Sequence, residues 1–254
     1  SGNWGCIALH SGADPKSVFS CCIVEYANQL SSLESVSYTG ALSVDHLNGL
    51  VFSQCRITNN NNYGLYFNYA SLNVVNTVVA NNKSFGIVDQ YGKCNLINNT
   101  ITGNGGTGYY YYSNTSPVVT NNIFWGNQSS IRNEGYSYGF PVVTYCLIQE
   151  DIMPSKVAGN SEGCLFKTNP QLGADYTVPF NSPCVNAGKA DTTGLKVGPV
   201  DHLGQNRLSG GRIDIGASEY QGTGRMVVLS PNGREGWMGG SVRTITWRGN
   251  AANV

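Results

Sequence analysis

Titratable side chains are sparse in this chain and do not converge. Charged residues make up 12% of 254 positions, with 15 basic and 15 acidic side chains and 3 histidines. Between residues 49 and 150 the bases are Arg56, Lys83, Lys93 and Arg132 and the acids are Asp89, Glu134 and Glu150, with no histidine. General acid–base catalysis needs two such groups within reach of one substrate atom, and glycoside hydrolysis needs two carboxyl groups flanking the scissile bond. The adjacent Asp45-His46 has no evident third partner and reads as a turn. Asp201, His202, Arg207 and Asp214 lie close in sequence, where pairing among themselves is the expected role. The eight cysteines (Cys6, Cys21, Cys22, Cys55, Cys94, Cys146, Cys164 and Cys184) show no C-x-x-C spacing, so neither a metal site nor a cofactor is expected. Cys21, Cys55 and Cys146 are expected to be buried and unpaired; a disulfide between Cys164 and Cys184 stays open.

What the chain has in abundance is neutral hydrogen-bonding chemistry. It holds 32 glycines and 15 tyrosines, many asparagines, and a formal net charge of zero. A nucleic-acid partner needs a basic surface, and electrostatic membrane attachment needs a polybasic one; neither is expected. No stretch approaches 18 consecutive apolar residues, the minimum for a membrane-spanning helix. An uncharged polymer suits this surface better than a charged one.

The elements that must carry these side chains repeat. Gly64, Gly86, Gly108 and Ser130 stand 22 residues apart, each followed by Leu65, Ile87, Tyr109 or Ile131. A second ladder reads Asn60, Asn81, Asn104, Asn127, and a third Cys21, Cys55, Asn76, Asn99, Asn122, Cys146. A period in the low twenties with short β-rich segments signals a solenoid. Counting two residues on from the third ladder gives Ile23, Ile57, Val78, Ile101, Phe124 and Ile148; two residues back gives Phe19, Ser53, Val74, Ile97, Thr120 and Thr144. This alternation predicts parallel strands stacked about 4.8 Å apart. Inward asparagines would bond their own turn and the asparagine of the next coil. The long interval from Cys21 to Cys55 predicts a loop pushed out around Gln29–Thr39. After Cys146 the period fails, and the Pro- and Gly-rich stretch 151–221 is expected to form extended strands and an end cap.

If Leu65, Ile87, Tyr109 and Ile131 point inward, their successors Tyr66, Val88, Tyr110 and Arg132 point outward, and two positions further stand Asn68, Gln90, Tyr112 and Glu134, with Tyr69 and Tyr91 beside them. Tyr136 and Tyr138 extend the set from a loop. Such a strip predicts flat aromatic rings interleaved with amides, suited to the apolar face and the hydroxyls of a sugar chain. The candidate binding residues are Tyr66, Asn68, Gln90, Tyr110, Tyr112, Arg132 and Glu134, with Trp125 a weaker candidate on another face. Exposed tyrosine is also ordinary β surface.

Two segments carry a family resemblance. Asn181-Ser182-Pro183-Cys184-Val185-Asn186-Ala187-Gly188, then Asp201-His202-Leu203-Gly204-Gln205-Asn206-Arg207 and Arg212-Ile213-Asp214-Ile215-Gly216-Ala217-Ser218-Glu219-Tyr220, resemble the closing region of right-handed parallel β-helix proteins of bacterial secreted and surface type. The likeness covers about residues 4–221 and implies an all-β, right-handed parallel β-helix of roughly seven coils with a C-terminal cap. It implies a fold, not an activity. Ser230-Pro231-Asn232-Gly233-Arg234-Glu235-Gly236-Trp237, Gly240-Ser241 and Ile245-Thr246-Trp247 resemble the opening of an Ig-like module found in secreted enzymes. Such a module needs about 100 residues, so 222–254 is expected to be a linker and the start of a further domain.

Together these resemblances imply a β-helical carbohydrate-binding module of a secreted, extracellular, multidomain polysaccharide-degrading enzyme, acting as a monomer. The opening Ser1-Gly2-Asn3-Trp4-Gly5-Cys6-Ile7 reads as the inside of a coil rather than a signal peptide. The expected partner is a neutral plant polysaccharide, xylan first. β-Helix lyases need a metal or cationic cluster and a base for acidic glycans, which the charge count disfavours. A catalytic β-helix using loop carboxylates, and a cell-surface stalk, are the alternatives.

Overall fold

The computed structural model describes residues 4–28, 31–33, 36–135, 139–157, 161–222, 226–230, 240, 242 and 244–249. Alternating side chains with a fixed repeat produce three parallel sheets wound as a solenoid of about six turns, against the roughly seven expected. The first sheet runs through Ile7–Leu9, Gly40–Asp45, Tyr63–Asn68, Ile87–Gln90, Thr107–Tyr112 and Ser129–Asn133. The second runs through Val18–Ser20, Val51–Ser53, Ser71–Val75, Lys93–Ile97, Val118–Thr120 and Val142–Thr144. The third begins with Ile23–Glu25, Arg56–Thr58, Val78–Ala80 and Thr100–Thr102, then Ile123–Trp125, Leu147–Ile148 and Leu165–Phe166. The expelled loop contains an antiparallel pair, Ser31–Leu33 with Val36–Tyr38.

Inward columns fill the interior. Leu42, Leu65, Ile87, Tyr109 and Ile131 stack in register on the first sheet. Phe19, Phe52, Val74, Leu96, Val119 and Val143 do so on the second. Val24, Ile57, Val79, Ile101, Phe124 and Ile148 do so on the third. The core columns expected from the sequence are therefore mixed by one residue. Ser53, Val75, Ile97, Thr120 and Thr144 follow one another in register as the outer column of the second sheet, and Ile23 and Val78 pair with Arg56 rather than Ile57.

The corners explain the slip. Between the second and third sheets a left-handed residue recurs at Cys21, Gln54, Asn76, Asn98, Asn121 and Tyr145, with φ between 47° and 58°. The residue after it turns inward: the Thr77 N–H donates to Asn99 Oδ1 at 2.9 Å, and both the N–H and the side-chain amide of Asn99 donate to Asn122 Oδ1, each at 2.9 Å. The ladder continues at both ends: the Cys55 N–H donates to Thr77 Oγ1 at 3.2 Å below, and the Asn122 N–H donates to Cys146 Sγ at 3.3 Å above. Thr77, not Asn76, thus occupies the inward rung, and Cys22 rather than Cys21 lies beside Cys55. At the next corner Asn59, Asn81, Gly103 and Gly126 have φ between 55° and 68°, and Asn60, Asn82, Asn104 and Asn127 form the inward rungs at 2.8–2.9 Å. Asn81 was expected in that ladder; Asn82 holds the place.

The glycine column lies against this asparagine ladder. A Cβ on Gly86 would stand 2.7 Å from Gly108 O and 3.0 Å from Asn104 Nδ2, so the close approach of backbone and amide requires glycine.

The stretch expected to cap the end divides in two. Met153, Val157, Cys164 and Phe166 pack on the core of the stack. The remainder, to Tyr220, lies along the side. Val178, Cys184, Val185 and Ile215 pack on Ile123 and Leu147, and Leu195 on Val75 and Ile97. The corner column holds this strap: Asn76 Nδ2 donates to Val200 O and Asn98 Nδ2 to Asp214 O, while Asn121 Oδ1 accepts from the Lys189 N–H. Cys164 and Cys184 sit in different clusters. Of the Ig-like motif, residues 231–239 lie outside the described residues; Met226–Ser230 and Thr246–Gly249 pair antiparallel.

Candidate functional site

The outer face of the first sheet gathers the expected strip. Ser43, Tyr66, Val88, Tyr110 and Arg132 are in register across consecutive coils, as are Asp45, Asn68, Gln90 and Tyr112. Glu134 follows one residue beyond the Tyr111–Asn133 pair. The tyrosine run divides by alternation: Tyr109 and Tyr111 are fully buried while Tyr110 and Tyr112 are half-buried at the surface. Val88 differs from expectation, being only 2% exposed between Tyr66 and Tyr110. Tyr136 and Tyr138 lie outside the described residues.

The rings do not form a flat pavement. Phe85 stacks on Tyr110 with centroids 5.3 Å apart and planes 19° apart, and Tyr63 joins Phe85 at 5.2 Å. On the other margin His46, Tyr69 and Tyr91 stack at 4.7 and 4.8 Å, within 21° of parallel. Rings stacked coil upon coil cover one another's faces. What they offer outward is edges and hydroxyls, which corrects the expected aromatic platform. Tyr112 stands at 87° to Tyr91 and lies crosswise to that ladder.

Sequence reasoning placed Tyr69 and Tyr91 only beside the strip and read Asp45-His46 as a turn. The structure makes them one margin. His46, Tyr69 and Tyr91 are the left-handed corner residues between the first and second sheets, at φ 50°, 47° and 56°. Bulky aromatic residues rarely adopt that conformation, and such strain collects where a site holds it. Their 22- to 23-residue spacing was the available signal.

Between the margins runs a polar row. Asp45 Oδ2 bonds His46 Nδ1 at 2.9 Å and Asp45 Oδ1 accepts from Asn68 Nδ2 at 2.6 Å. The Tyr66 hydroxyl donates to Gln90 Oε1 at 2.9 Å, and Arg132 Nε donates to Glu134 Oε1 at 2.6 Å. Burial first, and then the Asp45 carboxylate, raises the Tyr66 hydroxyl above its ordinary pKa; burial and Glu134 do the same for Tyr110. Both remain protonated donors at neutral pH. Among the described residues no group of three or more His, Cys, Asp or Glu side chains is placed to hold a metal ion.

The model of the right handed beta helix region matches residues 2–170. The chain belongs to the right-handed β-helix family. No curated protein matches it. The family match fixes the hand of this all-β parallel β-helix, in accord with the preference of parallel crossovers. It names no ligand.

Elsewhere on this β-helix, a titratable cluster in the strap bonds mainly to the strap's own backbone. Asp201 Oδ1 accepts the N–H groups of Leu203 and Gln205, Asp201 Oδ2 that of Glu219, and the Asp214 carboxylate those of Asn186 and Tyr220. Arg207, 2% exposed, donates to the carbonyls of Asp214 and Gly216. Burial, reinforced by Asp214, pushes the Glu219 carboxyl up to about 8. These bonds staple the strap rather than face a ligand. Trp125 is half-buried in the cluster beneath the strap. Among the described residues no helix is long and apolar enough to cross a membrane.

Proposed function

We propose that this β-helix is a non-catalytic module that binds an extended neutral polysaccharide along the outer face of its first sheet. The observation that carries this reading is the recurrence of tyrosine or amide in register on three consecutive coils, Tyr66 and Asn68, then Gln90, then Tyr110 and Tyr112, between two ladders of stacked rings. Neighbouring strands repeat at about 4.8 Å, so the surface offers like groups at a constant pitch, as a chain polymer requires. Tyr66, Asn68, Gln90, Tyr110, Tyr112, Arg132 and Glu134 are the contact residues, with Asp45 and His46 at one end. Because ring faces are taken up by neighbours, hydrogen bonds and ring-edge contacts share the load, with Tyr112 the ring set to meet a sugar face. The parent is a secreted multidomain protein, and xylan is the first polymer to test.

Retention on insoluble xylan and a panel of soluble neutral glycans, run with reducing-end and unsaturated-product assays, decides the matter. Retention without product supports the reading; product formation replaces it with an enzyme, and neither result would leave a structural stalk.

A further inference from the structure

A cleft of about 330 Å³ opens on a different face, between the outer side of the second sheet and the lateral strap. Its floor is the outer column Val51, Asn73, Asn95 and Val118, with Val75 and Ile97 beside it. Its wall is Gly194, Leu195 and Lys196 of the strap. Leu195 packs on Val75 and Ile97, and the chain is left-handed on both sides of it, at Gly194 with φ 82° and at Lys196 with φ 54°. Lysine is uncommon in that conformation, so packing of Leu195 holds the wall against a backbone preference. An apolar hollow of this size with a few convergent polar groups has the form of a small-molecule site.

The polar groups in the cleft run in one direction. The Val118 N–H, which can only donate, bonds Asn95 Oδ1 at 2.9 Å. This orients the Asn95 amide, whose Nδ2 donates to Asn73 Oδ1 at 3.0 Å on the neighbouring coil. The relay therefore ends on Asn73 Nδ2, a donor. The next residue in the column is Val51, whose side chain offers no acceptor. Hydrogen bonds in such a chain polarise one another, which strengthens the terminal donor. Lys196 adds a cation at the strap, and among the described residues no acidic side chain lines the cleft. The arrangement asks for an acceptor, best an anionic one, on an apolar body that covers Val51, Val75, Ile97, Val118 and Leu195. A cation would be repelled by Lys196. A sugar would press most of its hydroxyls unpaired against aliphatic side chains.

We infer that this cleft binds a small amphiphilic monocarboxylate, an aromatic ring or short alkyl chain whose carboxylate meets Asn73 Nδ2 and Lys196. The site is separate from the first-sheet strip and stands whether or not that strip holds a polysaccharide.

Saturation-transfer NMR with affinity titration on the full chain tests this, using benzoate, cinnamate and hexanoate as probes and benzyl alcohol, cinnamyl alcohol and hexanol as their neutral counterparts. At least one carboxylate is expected to bind about tenfold or more tightly than its alcohol, since charge-assisted hydrogen bonds are the stronger ones. Asn73→Asp keeps the acceptor for Asn95 and puts a negative charge where the terminal donor was. It should weaken the carboxylate about tenfold or more by like-charge repulsion and leave the alcohol within about twofold. Lys196→Met, an exposed change on the strap, should weaken the carboxylate several-fold, and decides alone if Asn73→Asp does not fold by circular dichroism. No response to any carboxylate overturns the inference. So does equal affinity for acid and alcohol, which would make the cleft a plain apolar hollow, or carboxylate binding unchanged in the folded variants.

Discussion

Inside the stack the Tyr109 hydroxyl donates to Asp89 Oδ2 at 3.0 Å, joining side chains of neighbouring coils. The Cys94 N–H donates to the same oxygen at 2.8 Å. Asp89 is fully buried, and desolvation pushes its carboxyl up to about 7 despite these bonds. Asp89 sits in the column of Val44, Phe67, Tyr111 and Asn133, and Tyr109 reaches it from the neighbouring column of Leu65 and Ile87.

Asp89 makes stability pH-dependent in a defined direction. Its folded pKa lies above that of the unfolded chain, 3.8. The folded state therefore binds more protons between about pH 4 and pH 7, and stability falls as pH rises through that window. The full loss is on the order of 4 kcal/mol, since each tenfold change in proton affinity between the folded and unfolded chain is worth about 1.4 kcal/mol. Asp89→Asn mimics the protonated carboxyl: it should match the native chain near pH 4 and exceed it in urea denaturation at pH 8. Equal stability of the two at pH 8 would refute the assignment.

The asparagine rung and the apolar rung differ in cost. Ile101 is fully buried in register between Val79 and Phe124, and Ile101→Asp places an unpaired carboxylate there, expected to unfold the stack or to cost more than about 4 kcal/mol. Asn99→Ala removes side-chain bonds to Val74 O and Asn122 Oδ1 and should cost about 1–3 kcal/mol. Comparable melting temperatures for Ile101→Asp and the native chain would show that the register is wrong.

Gly86→Ala should destabilise by about 1–3 kcal/mol, as added core volume does where nothing can yield. The new Cβ would meet the Gly108 carbonyl, part of the backbone of the next coil. Lys83→Ala, an exposed change in the preceding turn, should leave the thermal midpoint within a degree or two; a Gly86→Ala midpoint equally unmoved would contradict the predicted clash.

On the first-sheet face, Tyr110→Ala with Tyr112→Ala should abolish retention on the bound polysaccharide with the fold intact by circular dichroism. Tyr112→Ala alone should account for more of the loss, because one face of Tyr110 is already covered by Phe85. A neutral ligand makes binding insensitive to salt. Retention that survives the double substitution, or that disappears in high salt, counts against the strip.

The sequence by itself determined the solenoid. Its repeat could be read from Gly64, Gly86 and Gly108, because each coil imposes the same steric demand at the same place, and strand alternation then divided Tyr109–Tyr112 into two inward and two outward rings. It did not determine which of two neighbouring polar residues turns inward. In Asn76-Thr77 and Asn81-Asn82 either residue can hydrogen-bond, and asparagine tolerates the left-handed corner; only bonding to the coils above and below selects Thr77 and Asn82. The strap was equally hidden, since residues beyond Cys146 have no period and their place depends on contacts with Asn76, Asn98 and Asn121 more than 60 residues away. Ring orientation was decided last and only by tertiary structure: composition shows that tyrosines are present, but stacking between successive coils turns their edges to solvent.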